Sequence, residues 1–137
     1  MINPSVFLRR AILADAIFSG ISALLLTFGA GALAPLLDLP EALLRETGLF
    51  LIAYAALVGR LGTRSSMPRA LVAIVIAGNA AWTLASIALL FSDAVTPNLL
   101  GEAFVVMQAI AVGAFAELQY IGLRRSGRGV TLAPTKT

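Results

Sequence analysis

The stretch that decides the fold is residues 100–125, which read LGEAFVVMQAIAVGAFAELQYIGLRR. It is long enough to cross a bilayer as a helix, since a crossing needs about 20 apolar residues. A carboxylate within hydrocarbon is unfavourable unless other helices provide partners for it. The stretch therefore predicts a transmembrane helix that packs among others, with three polar side chains inside it: Gln108, Glu117 and Gln119.

The whole chain has the composition of a membrane protein. Of its 137 residues, 59% are hydrophobic and 12% are charged, and the mean hydropathy is +0.93. Soluble domains carry about 25% charged residues, and a chain this short cannot hide so much apolar surface from water. We therefore expect a single domain whose main solvent is lipid.

The sequence contains no cysteine and no histidine. This excludes disulfides, thiolate and histidine metal sites, and catalysis by cysteine or histidine. No phosphate-binding glycine loop is present either, so we expect no cofactor, no metal and no enzymatic activity. The net charge of +3 comes from residues beside apolar segments, which favours contact with the membrane surface and not with nucleic acid.

Four apolar segments predict four transmembrane helices, over residues 11–34, 42–60, 70–91 and 100–123. They form one domain, 1–125, followed by a polar tail, 126–137, that we expect to be disordered. Asp38, with Pro40 and Glu41 after it, has the pattern of a capping residue for the second helix. A cleaved signal peptide is the alternative for the first segment, but the apolar run exceeds the about 7–15 residues of such a peptide.

The basic residues set the orientation, because arginine and lysine are retained on the cytoplasmic side of short loops. They precede the first segment, separate the second from the third, and follow the fourth, whereas the other two loops hold only Arg45. We predict an all-α, integral membrane four-helix bundle of up-down-up-down topology, with both termini in the cytoplasm.

Polar side chains inside the segments are the candidates for function. We predict an intramembrane polar cluster of Asp15, Tyr54, Asn79 and Glu117. Counted from the nearest arginine, Asp15 lies ~7 Å and Glu117 ~10 Å into the membrane. The two acids either pair with nearby arginines, or line a cytoplasmic vestibule that binds a cation, a proton or an amine.

A second set of polar residues has the spacing of helix contacts. Helical periodicity puts Gln108 and Gln119 on the face of the fourth helix opposite Glu117, so this helix is either central in the bundle or meets another copy. We predict helix–helix or partner contacts at six residues: Ser19, Ser22, Thr83, Ser86, Gln108 and Gln119.

Two runs, LRRAILADAIFSG near the start and AELQYIGLRR near the end, resemble those of small uncharacterised four-helix inner-membrane proteins of bacteria. The resemblance implies a fold and a location, the bacterial inner membrane, and no activity.

Two functions remain open at the level of sequence. The first is a non-catalytic accessory or assembly subunit, in a homodimer or a larger membrane complex, with the lipid bilayer as its other partner. The second is a small transporter or channel for a cation, proton or small amine that uses Asp15 and Glu117.

Overall fold

The computed structural model describes the backbone of residues 2–132 and the side chains of residues 2–126. The described part is helical and has no strand. Its four helices are α1 (Val6–Leu37), α2 (Glu41–Thr63), α3 (Arg69–Phe91) and α4 (Leu99–Leu132). All four are long and apolar enough to cross a membrane.

The helices extend beyond the segments predicted from sequence. Helix α1 begins after Ser5, whose side chain accepts a hydrogen bond from the Leu8 amide, and it continues past Pro35. Helix α4 continues to Leu132, so the first part of the expected tail is helical. The rest of that tail, 133–137, lies outside the described residues.

The expected role of Asp38 was wrong. This residue ends α1 in a left-handed conformation, with φ 57°, and does not cap α2. Because α1 runs through to Leu37, only three residues connect it to α2, and Pro40 precedes the first turn of α2. Glu41 lies in that first turn and pairs with Arg45 at 2.8 Å.

Consecutive helices run in opposite directions, and glycines permit the closest approaches between packed helices. A Cβ on Gly48 of α2 would lie 2.5 Å from the backbone nitrogen of Thr27 in α1. A Cβ on Gly122 of α4 would lie 2.8 Å from the Cα of Leu8 in α1. Small residues at such crossings let apolar helices gain van der Waals contact.

Three helix pairs bring their backbones close together, α1–α2, α3–α4 and α1–α4, whereas the backbones of α2 and α3 stay farther apart and these two helices meet through side chains. The chain therefore forms two hairpins joined along α1 and α4, with an open side between α2 and α3. At the end of the bundle where α2 leads into α3, the Ile2 amide donates to the Met67 carbonyl at 2.8 Å, and the Met67 amide donates back at 2.9 Å.

The distribution of polarity is the reverse of that in a soluble bundle. Large apolar side chains such as Phe28, Leu84 and Met107 cover the outside, with 80%, 68% and 70% of their surface exposed. Two apolar clusters fill the ends of the interior, one around Leu8 and Val58 and the other around Leu26, Leu44 and Val105. Between the ends, the buried positions include polar residues: Asp15, Ser19, Asn79, Ser86 and Gln119.

Candidate functional site

The Asp15 cluster, defined as Asp15, Ser19, Tyr54, Asn79 and Gln119, joins all four helices. The Oδ2 atom of Asp15 accepts hydrogen bonds from Tyr54 Oη at 2.7 Å, Asn79 Nδ2 at 2.9 Å and Gln119 Nε2 at 2.9 Å. Ser19 Oγ donates to Oδ1 at 3.0 Å. One carboxylate on α1 is thus bound to a side chain from each of the other helices.

Among the side chains that the structure describes, none places a cation beside the Asp15 carboxylate. The ion pair within the described side chains is that of Glu41 and Arg45, at the far end of α2. Asp15 is 1% exposed, and transfer of an unpaired charge to an apolar interior is costly. Four hydrogen bonds to the carboxylate oxygens offset part of that cost.

The residues of the cluster lie at matching distances along α1 and α2. Asp15 is nine residues after Val6, the first residue of α1, which is ~14 Å at 1.5 Å per residue. Tyr54 is nine residues before Thr63, the end of α2, and therefore at a matching ~14 Å. The difference from the expected ~7 Å arises because α1 starts before the arginine pair from which depth was counted.

Glu117, which we expected in this cluster, lies elsewhere. Its side chain is exposed on the outside of α4, whereas Gln119 is fully buried and contacts both Asp15 and Asn79. Two residues of a helix separated by two positions point about 200° apart, so only one of this pair can face the bundle. The small residues beside Gln119 on its own face, Ala116 and Gly122, are the sequence signal that could have identified the inner side.

The polar residues expected at helix contacts are used within the chain. Trp82 Nε1 donates to Gln108 Oε1 at 2.8 Å, and Gln108 Nε2 donates to Ser86 Oγ at 2.9 Å, so these residues connect α3 to α4. Thr83 Oγ1 donates to the Ala109 carbonyl at 3.3 Å. Ser19 and Gln119 belong to the Asp15 cluster, and Ser22 lines the cleft between α2 and α3.

This cleft has a volume of about 610 Å³, which is within the range of small-molecule sites, roughly 300–1,000 Å³. Its walls are mainly apolar, and they include five aromatic residues: Phe18, Phe50, Tyr54, Trp82 and Phe104. Tyr54 and Asn79 of the Asp15 cluster are among the lining residues. Asp15 itself lies behind them, in direct hydrogen bonds with both.

An aromatic row crosses the open side of the cleft. The ring of Phe50 stacks on Tyr54, with centroids 6.4 Å apart, and on Trp82, with centroids 5.9 Å apart. The Phe50–Trp82 contact joins α2 to α3, as does the hydrogen bond between Tyr54 and Asn79. Sequence reasoning missed Phe50, because a phenylalanine in an apolar segment has no distinctive pattern.

The arrangement offers a buried carboxylate, hydrogen-bond acceptors and aromatic side chains at one side of an apolar cleft. Within the part of the chain that the structure describes, no three carboxylate, histidine or cysteine side chains come together as metal ligands. Comparisons with protein-family models, with curated proteins and with solved structures found no match.

Proposed function

We propose that the protein is a non-catalytic, membrane-embedded binding protein of the carrier type, whose ligand is a lipophilic amine: an ammonium group on an apolar body. The cleft would hold the apolar body, and the Asp15 cluster would supply the opposite charge. The observation that carries the proposal is the Asp15 carboxylate, which is buried with no cation from the described side chains beside it and lies directly behind three residues that line an apolar cleft, Ser19, Tyr54 and Asn79.

We also propose that the helices cross a bacterial inner membrane with both termini in the cytoplasm. Arg9 Nη1 donates to the Gly62 carbonyl at 2.6 Å, so the first arginines lie beside the end of α2 and the basic loop that follows. Arg125 stacks over Phe7 at the same end. Grouping of the basic residues at one end supports the cytoplasmic assignment of that end.

Charge complementarity favours an amine over other amphiphiles. A carboxylate in a membrane interior marks a site for a cation or a proton by default. Aromatic faces attract cations by about 0.5–2 kcal/mol, and Phe50, Tyr54 and Trp82 present such faces in the cleft. A ligand anion would meet the Asp15 charge with no compensating cation.

The alternative of an accessory subunit has less support in the structure than in the pattern of polar residues. It depended on polar residues on two sides of α4, and both glutamines of α4 have their hydrogen-bond partners inside the chain. Glu117 remains as a carboxylate on the outer surface.

The fluorescence of Trp82 provides the test, because it is the chain's only tryptophan and it lines the cleft. Purified protein in lipid nanodiscs is titrated with decylammonium, decanol and decyl sulfate. We expect saturable quenching or a spectral shift with decylammonium at concentrations at least about tenfold below those of the other two, since a charge-assisted contact contributes about 1.5–3 kcal/mol.

Asp15→Asn should weaken decylammonium binding by about tenfold or more. Glu117→Gln, which removes a carboxylate from the outer surface of the same bundle, is the matched control and should bind as the parent does. Circular dichroism establishes that both variants are folded. Equal responses to all three amphiphiles would contradict the proposal, and co-purification of a second protein in that case would favour the accessory subunit.

A further inference from the structure

Tyr54 lies between two hydrogen-bond acceptors. Its hydroxyl oxygen is 2.7 Å from Asp15 Oδ2 and 2.9 Å from Asn79 Oδ1. A hydroxyl carries one hydrogen, so Tyr54 can donate to only one of these two oxygens at a time. The contact with the carboxylate is the shorter of the two, and a hydrogen donated there leaves Asn79 Oδ1 without one.

Asn79 and Ser19 direct their hydrogens to other acceptors, and the hydrogen bond of Gln119 Nε2 among the described side chains goes to Asp15 and not to Asn79 Oδ1. Both hydrogens of Asn79 Nδ2 have acceptors, Asp15 Oδ2 and Gln119 Oε1, each at 2.9 Å. The Ser19 hydroxyl donates to the other oxygen of Asp15. Among the described side chains, Tyr54 is the donor that approaches Asn79 Oδ1. With Asp15 ionised, the cluster is therefore one hydrogen short, at a residue that lines the cleft.

An acceptor without a donor in apolar surroundings is unfavourable by about 1–3 kcal/mol, and a ligand that brings a donor removes this penalty. We infer that Asn79 Oδ1 accepts an N–H from the ligand, and that this bond makes the site selective for amines that carry a hydrogen on nitrogen. Quaternary ammonium ions have the charge and the apolar body but no such hydrogen. The inference rests on the proposed function and specifies the chemistry of its ligand.

The closest pair of probes is decyldimethylammonium and decyltrimethylammonium. They have the same charge and chain and nearly the same head-group size, and only the first carries an N–H. In the Trp82 titration, we expect the first to bind about tenfold more tightly, or better. Equal affinity of the two would overturn the inference while leaving the proposed function intact. Binding of both no tighter than decanol would instead contradict the proposed function.

Substitutions test whether Asn79 is the source of the preference for amines that carry an N–H. Asn79→Leu removes the acceptor and should bring the affinity ratio of the two probes close to one. Thr83→Val, which removes a hydroxyl one turn farther along α3, is the control and should keep the ratio. In Tyr54→Phe, Asn79 Oδ1 loses its competing donor, so the ratio should stay or increase. A ratio that falls to one in Tyr54→Phe would contradict the inference even if Asn79→Leu does not fold.

Discussion

At the scale of the residue, Asp15 illustrates how a carboxylate can be buried among apolar helices without a cation. Its two oxygens receive four hydrogen bonds, and the donors come from α1, α2, α3 and α4. Each donor would be costly to bury alone, as would the charge. Together they satisfy one another, so the loss of the single acceptor affects the whole set.

Replacement of Asp15 by leucine should therefore lower the free energy of unfolding by about 3 kcal/mol, since each buried donor left without an acceptor costs about 1–3 kcal/mol. Glu117→Leu should change it by less than about 0.5 kcal/mol, as substitutions away from buried networks usually do. Unfolding by SDS in mixed micelles, followed by circular dichroism, measures both. Similar losses in the two variants would show that burial of Asp15 is not the cause.

The candidate site was only partly predictable at this scale. Asp15, Tyr54 and Asn79 stood out because polar side chains are rare within apolar segments, and the structure brings these three together. In the structure, Gln119 occupies the place in the cluster that we expected for Glu117. The prediction was wrong because the composition of a helix does not show which of its faces points inward. We expected the charge of Glu117 to be buried among hydrogen-bonding partners, but its side chain is exposed on the outside of α4.

At the scale of the element, helix contacts depend on individual glycines. Gly48 lies against the backbone of α1 near Thr27, whereas nothing lies within 4 Å of a Cβ placed on Gly78 of α3. Both residues are inside helices. Alanine substitutions at these two glycines therefore distinguish the effect of crowding between helices from the higher helix propensity of alanine.

Gly48→Ala should destabilise the bundle by about 1–3 kcal/mol, because overpacking forces the helices apart. Gly78→Ala should be neutral or stabilising by up to about 1 kcal/mol, from helix propensity alone. The same SDS unfolding assay compares them. Equal effects would mean that α1 and α2 do not approach as closely as the structure describes.

The number of helices could be predicted from sequence, because four apolar segments separated by polar loops leave little choice. The residues at which the helices begin and end could not be predicted. Helix α1 continues past Pro35 to Leu37, and Asp38 caps its end. The carbonyls of this last turn accept hydrogen bonds from Asn98, next to the start of α4, so the end of α1 depends on tertiary contacts. Local propensity alone favoured an earlier end.

At the scale of the whole molecule, the proposed orientation can be tested because the chain has no native cysteine. Ser65→Cys reports on the exposed loop between α2 and α3, and Asp93→Cys on the exposed loop between α3 and α4. In intact cells, a membrane-impermeant maleimide should label the Asp93 variant and not the Ser65 variant. The reverse pattern would invert the topology, and permeabilised cells provide the control for reactivity.

The cleft could not be predicted from the sequence. It exists because the backbones of α2 and α3 do not approach closely although the two helices are consecutive, whereas helices joined by short loops commonly pack as neighbours. Nothing in the pattern of the second and third apolar segments indicates that α2 packs closely against α1, and α3 against α4, but that α2 and α3 do not pack closely against each other.

The open side between α2 and α3 has a consequence for the thermodynamics of the proposed site. No helix of the described chain closes it, so in a bilayer the neighbouring acyl chains would form its remaining wall. The ligand and the acyl chains would then compete for the same space in the cleft, so the apparent dissociation constant of the ligand would depend on the lipid composition of the membrane. Short, saturated lipids and bulky, unsaturated ones would give different affinities for the same amine, without any change in the amino acids that bind it.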